Sequence, residues 1–172
     1  FVYNLSSIRE QINLSYDSLH LTLITSYRHH EIAQKLPLKQ GWFALTMMPD
    51  YSIWMTRKDT FLVFNHDGKT QWKPSFLSAK EFGMQGESIF HVFSMQEGNA
   101  LAFISPSKLS IYDRRTRQLG YQLDFKEDAI TKEIFYYNFP AKIGQHQLLF
   151  SGKHAWYLFN ITSKHILSLN SK

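Results

Sequence analysis

The densest run of potential metal ligands is Arg28-His29-His30-Glu31. Successive residues of a helix point about 100° apart, so neighbouring imidazoles do not converge on one ion. A zinc-protease helix places its second histidine four residues after the first. Gln34 stands there after His30, and His20 lies ten residues before it. The run reads as a surface histidine pair, and no metal site is assigned. Nucleophiles and paired acids fare no better. Asp124, Glu127 and Asp128 share one connection, with nothing to set two carboxylates on either side of a glycosidic bond. Ser105-Pro106 and Ser151-Gly152 have the composition of turns, and the sequence holds no G-x-S-x-G, no P-loop and no G-x-G-x-x-G. Cysteine is absent, which excludes disulfides, thiolate metal sites and a cysteine nucleophile together. No catalytic residue, metal or cofactor is assigned, and an enzyme is not expected.

Chemistry of binding is the next possibility. The net charge is +5, but the basic residues are scattered apart from Arg114, Arg115 and Arg117, which fall in an expected turn. Nucleic-acid recognition usually needs a stripe of cations along a groove. This cluster therefore reads as a solvated hairpin tip, and no nucleic-acid partner is expected. Trp42, Trp54, Trp72 and Trp156 occur one per strand-like run. Exposed indoles can stack on sugars, yet these share strands with Phe and Leu on the same face, which assigns them to core packing. The sequons at Asn4, Asn13 and Asn160 carry weight only in a eukaryotic secretory setting.

What positions these residues is a chain of 172, enough for one domain with a real core. No uncharged apolar run reaches the length that spans a bilayer. The first residue is Phe1, which suggests a mature or excised segment. Over residues 1–37 an N-terminal amphipathic helix is expected. Leu5, Ile8, Ile12, Tyr16, Leu19, Leu23 and Tyr27 recur at steps of three and four, which stacks them on one face. Pro37 and Gly41 supply the stop. After Gly41 the period becomes two, and about twelve short runs rich in aromatic and β-branched residues follow, from "WFALTMM" to "HILSLN".

Those runs repeat. Asn65, Asp113 and Asn160 lie 48 and 47 residues apart. Each follows an aromatic (Phe64, Tyr112, Phe159), and a basic residue (Lys69, Arg117, Lys164) stands four positions on. Thr56, Ser105 and Ser151 sit eight or nine residues upstream, and Trp42, Phe90 and Tyr137 twenty-three upstream. Asn or Asp at a strand end can cap a turn through its side-chain oxygen. Gly68 supplies a positive φ in the first copy, and the aromatic column points inward. The repeat gives a β domain over 38–172, with units at about 41–76, 88–125 and 134–170. Between units, residues 77–87 and 126–133 are less regular, and "KEDAITKE" could form a single helical turn.

Four strands in about 47 residues is the period of a propeller blade. The segments "TFLVFNHDGKTQWKPSF", "KLSIYDRRTRQLGYQLDF" and "HAWYLFNITSKHILSLNS" resemble the inner hairpins of WD40-like and quinoprotein-like blades, over residues 41–170. The WD40 Trp-Asp and Gly-His pairs are missing, and of the quinoprotein tryptophan-docking pattern only Trp72, against Tyr121 and Leu167, is in place. Three blades do not close a ring of the usual four to eight. Pairing of two chains, a larger propeller or a sandwich would resolve the count, and the N-terminal helix could cover an open edge. The order helix, then "FLVFNHDGKTQW", also resembles the α+β PAS-like periplasmic sensor domains of bacterial membrane receptors, the alternative fold.

The expectation is a mainly β chain: a long N-terminal helix followed by three propeller-like four-stranded antiparallel units. Its function is expected to be sensing or interaction outside the cytoplasm, most naturally the periplasm, as a non-catalytic domain of a larger membrane-anchored bacterial receptor. The alternative is a propeller-type scaffold for protein–protein assembly. The partner would be a protein or a small-molecule ligand met by loops at one end of the β body. Homodimerisation could use the N-terminal helix or the β edges, and membrane contact would run only through a span outside this segment. The binding residues are left unassigned.

Overall fold

A computed structural model describes residues 2–6, 10–16, 20–27, 30–37, 43–50, 52–66, 72–84, 86–127, 131–134 and 140–170, the first four stretches through their backbone. Among the described residues sixteen strands fall into four antiparallel sheets of four, each in simple sequence order. The first holds β1 (Val2–Ser6), β2 (Glu10–Tyr16), β3 (His20–Tyr27) and β4 (His30–Pro37). The second holds β5 (Phe43–Met47), β6 (Ile53–Arg57), β7 (Thr60–His66) and β8 (Trp72–Ser78). The third holds β9 (His91–Met95), β10 (Ala100–Ile104), β11 (Lys108–Asp113) and β12 (Gln118–Asp124). The fourth holds β13 (Ala141–Lys142), β14 (Gln147–Ser151), β15 (Ala155–Asn160) and β16 (His165–Asn170). The chain divides into two compact units, one of residues 1–42 with 65–74 and one of 43–64 with 75–172.

The N-terminal helix expected over 1–37 is replaced by the first sheet. Its strands pair in register, Leu14 with Leu23 and Leu23 with Gln34. The stripe residues Leu5, Ile12, Tyr16, Leu23 and Tyr27 belong to three different strands, while Ile8 and Leu19 lie outside the described residues. Local composition overrides the three-and-four spacing: "HLTLITSY" alternates polar and apolar at its start and is rich in Ile, Thr and Tyr, which favour strands. With strands there, the helix-plus-single-sheet order of a PAS-like sensor domain is also gone. The strands after Gly41 do form three four-stranded antiparallel sheets.

Within the second unit, alternation places one side chain of each pair on each face of a sheet. Trp54, Phe61 and Val63 of the second sheet pack with Val92, Leu101, Phe103 and Tyr112 of the third. The opposite face of the third sheet, with Ala102, Ile104 and Leu109, packs with Leu148, Phe150, Tyr157 and Phe159 of the fourth. Polar ties follow the same seams. Thr56 Oγ1 donates to the Phe90 carbonyl at 3.1 Å, and Lys142 Nζ donates to the Ser94 carbonyl at 2.7 Å. Lys164 Nζ lies 5.4 Å from the centre of the Tyr121 ring.

Short 3-10 turns occupy Ala79–Phe82, Gln96–Gly98 and Thr131–Glu133. The first is closed by a capping box: Ser78 Oγ accepts from the Lys80 amide, and Glu81 Oε1 accepts from the Ser78 amide. The third falls inside "KEDAITKE", where a single turn was expected.

Candidate interaction site

The repeat columns are turn and core positions. Asp113 Oδ1 accepts from the amides of Arg115 and Thr116 at 2.8 and 3.2 Å. Asn160 Oδ1 accepts from those of Thr162 and Ser163 at 2.9 and 3.1 Å. Phe64, Tyr112 and Phe159 are all buried. The basic column takes the left-handed backbone, with φ of 56° at Arg117 and 59° at Lys164. Ser105 Oγ accepts from the Lys108 amide at 2.9 Å, and the Gly152 amide donates to the Ala155 carbonyl at 2.9 Å, so both stretches are spent on turns. Trp42, Gly68, Lys69, Tyr137 and Asp128 lie outside the described residues, as do Arg28 and His29. Among the described residues no group of three or more His, Asp or Glu side chains could hold a metal ion.

The turn that carries Arg114, Arg115 and Arg117 does more than tip a hairpin. Arg114 and Arg117 line an open cleft of about 330 Å3 together with Trp54, Phe82, Leu101 and Tyr112. The second and third sheets supply its walls, and the 3-10 turn after β8 supplies Phe82. Phe82 sits at the centre of an aromatic floor, its ring 5.9 Å from Trp54, 5.0 Å from Phe103 and 5.2 Å from Tyr112, the last edge-on. Trp54 is held from behind by its indole N–H, which donates to Ser52 Oγ at 3.0 Å.

The three arginines differ in their partners. Arg114 lies 3.7 Å from Asp50 Oδ2 and donates to the Gly98 carbonyl at 3.3 Å. Arg115 lies 3.7 Å from Asp113 Oδ1. Arg117 has no ion-pair partner among the described residues. Among the described residues, then, Arg117 is the one guanidinium of the cluster without a carboxylate beside it, and it stands at the mouth of an aromatic cleft. No local motif announces this, because Trp54 and Arg117 are 63 residues apart in sequence.

A second exposed feature is the far face of the fourth sheet. Trp156, Leu167 and Leu169 are 47%, 58% and 38% exposed. Trp156 pairs with Leu169 across β15 and β16, and Leu158 with Leu167, so the four share one face. This corrects the assignment of Trp156 to the core; Trp54 is buried as expected. In the third sheet the matching positions are Leu109 opposite Leu123 and Ile111 opposite Tyr121. Those four pack in the cluster shared with the fourth sheet. The exposed face therefore carries, position for position, the residues with which the preceding sheet meets its neighbour.

No protein-family model matches the chain, and no curated protein matches it in sequence. Solved structures do. The CNH domain of AfRom2 matches with a TM-score of 0.56 at 10% identity, over 100% of this chain and 57% of that one. AztD from Citrobacter koseri matches with a TM-score of 0.58 at 10% identity, over 99% and 47%. The WD40 domain of Toxoplasma gondii coronin matches with a TM-score of 0.54 at 9% identity, over 94% and 43%. The fold is β-propeller-like, and the chain spans about half the length of the structures it matches.

Proposed function

We propose that the chain is a propeller-type scaffold for protein–protein assembly, without a catalytic step of its own. One observation carries this: the apolar face of Trp156, Leu158, Leu167 and Leu169, whose counterparts in the third sheet are buried against a neighbouring sheet. Contiguous exposed apolar surface of this kind marks a place for another protein surface. The occupant that fits is a further four-stranded sheet, presenting aromatic and aliphatic residues as Phe150, Tyr157 and Phe159 do toward the third sheet. In the solved structures that it matches, about as much chain again lies outside the match, which leaves room for such sheets.

The other reading, the expected extracytoplasmic sensing domain, rests in part on a long helix leading into one sheet, and strands β1 to β4 stand where that helix was expected. Among the described residues no helix is long and apolar enough to cross a membrane.

Light scattering on the chain and on the double variant Trp156→Lys, Leu167→Lys tests the proposal. The native chain should self-associate as its concentration rises, through the exposed apolar face of Trp156, Leu158, Leu167 and Leu169. The double variant should stay monomeric with an unchanged melting temperature. A native chain that stays monomeric at high concentration counts against the proposal, as does a variant that associates equally.

A further inference from the structure

Resting on the scaffold reading, we propose that the cleft between the second and third sheets is a peptide-docking site. It would take an aromatic or large aliphatic side chain of an acidic segment, with a neighbouring carboxylate of that segment on Arg117. One side of the cleft is aromatic, with a partly exposed Phe82 flanked by the buried Trp54 and Tyr112 at 5.9 and 5.2 Å and Leu101 beside them. A volume of about 330 Å3 is at the small end for a ligand pocket, fitting one or two side chains better than a large cofactor.

The charge at the mouth selects the rest of the ligand. Arg114 is held by Asp50 and the Gly98 carbonyl, and Arg115 lies against Asp113. Of the three, only Arg117 has no carboxylate partner among the described residues, and its planar fork suits a carboxylate in two parallel hydrogen bonds. Its left-handed backbone, φ 56°, is fixed by the turn that Asp113 closes, so the guanidinium is presented from a defined base. A nucleic acid fits the site less well. Phosphate recognition draws on several uncompensated cations along a track, and two of these three arginines already face carboxylates.

The probe is a random twelve-residue peptide display library, selected on the immobilised full chain. Winning peptides are then synthesised and titrated by fluorescence anisotropy. The expected consensus is an aromatic or Leu residue with Asp or Glu within two positions. Binding should weaken at least tenfold in Arg117→Glu and in peptides whose carboxylates are replaced by amides. Arg117→Gly, which suits the left-handed backbone, should weaken binding similarly while keeping the fold.

Winners lacking acidic residues would overturn the proposal, as would an empty selection or full affinity in Arg117→Glu. Displacement of the peptide by a twenty-residue oligothymidylate at comparable concentration would overturn it in favour of a nucleic acid. Peptides lost in Trp156→Lys but retained in Arg117→Glu would place docking on the fourth sheet, sinking the cleft while leaving the scaffold reading intact.

Discussion

Asp113 and Asn160 close their turns with the same pair of bonds, each side-chain oxygen accepting from the amides two and three residues on. One carries a titrating carboxyl and the other an amide, so the repeat contains its own control. The amides of Arg115 and Thr116, and then the Arg115 charge, hold the Asp113 carboxyl below its ordinary value of 3.8. A lowered folded pKa contributes stability above the unfolded value, and that contribution fades as pH falls through the folded value. Asp113→Asn keeps the turn and removes the titration. Its melting temperature should track the native chain near neutrality and fall less steeply below about pH 4, by circular dichroism melts. Equal slopes in acid would show that the carboxyl has no such coupling.

Arg117 and Lys164 share the left-handed backbone but not its surroundings. A non-glycine residue there costs on the order of 1–3 kcal/mol, against which glycine's greater unfolded entropy is set. Arg117→Gly should therefore stabilise the chain by roughly 0.5–1 kcal/mol. Lys164→Gly relaxes the same backbone but removes the ammonium from over the Tyr121 ring, a contact of roughly 0.5–1 kcal/mol. The second change should come out near neutral. Urea unfolding of both variants measures the difference, and equal gains would mean the Lys164–Tyr121 contact contributes nothing.

These turns also show what the sequence makes legible. A capping Asx residue and the aromatic before it act within a few residues, so their chemistry recurs visibly at 48 and 47 positions. The three sheets after Gly41 can be read from that recurrence and from alternation. The first sheet is hidden because its apolar residues fall at helical spacing by coincidence, spread over strands β1 to β3. Trp156 is misassigned for a different reason: alternation says which face a side chain takes, but not whether that face is covered. The cleft is invisible in sequence because strands β6 and β10, the turn after β8 and the turn after β11 build it together.

Phe159 and Trp156, three residues apart on β15, should respond oppositely to truncation. Phe159 is 1% exposed and stacks on Tyr121 with ring centres 5.7 Å apart. Phe159→Ala should cost about 3–5 kcal/mol, lost transfer energy plus the cavity left behind. Trp156 leaves nearly half its surface in solvent, so Trp156→Ala should change stability by less than about 1 kcal/mol and improve solubility. Denaturant midpoints for the pair decide this. A large loss at Trp156 would mean that its face is covered in the folded chain.

Tyr157 joins the fourth sheet to the connection before it, its hydroxyl donating to Glu133 Oε2 at 3.1 Å. The same oxygen accepts from the His154 amide at 3.3 Å. Burial, then the Glu133 hydrogen bond and its charge, raise the phenol above its ordinary value of 10.0. Here the folded form holds its proton longer, so the contribution is full below the unfolded pKa and is lost as pH rises through the folded one. Tyr157→Phe should cost about 1 kcal/mol at neutral pH and then lose less than the native chain above pH 10. The ring matters as much as the hydroxyl. A Cβ at Gly152 would stand 2.5 Å from Tyr157 Cε2 and 3.1 Å from the Ala155 carbonyl oxygen. Gly152→Ala should therefore cost roughly 1–3 kcal/mol by overpacking. In the double variant Gly152→Ala, Tyr157→Ala the part of that cost due to the ring should disappear, leaving the approach to the Ala155 carbonyl. Thermal melts of the four chains form the cycle, and strict additivity would show that the ring and Gly152 are not in contact.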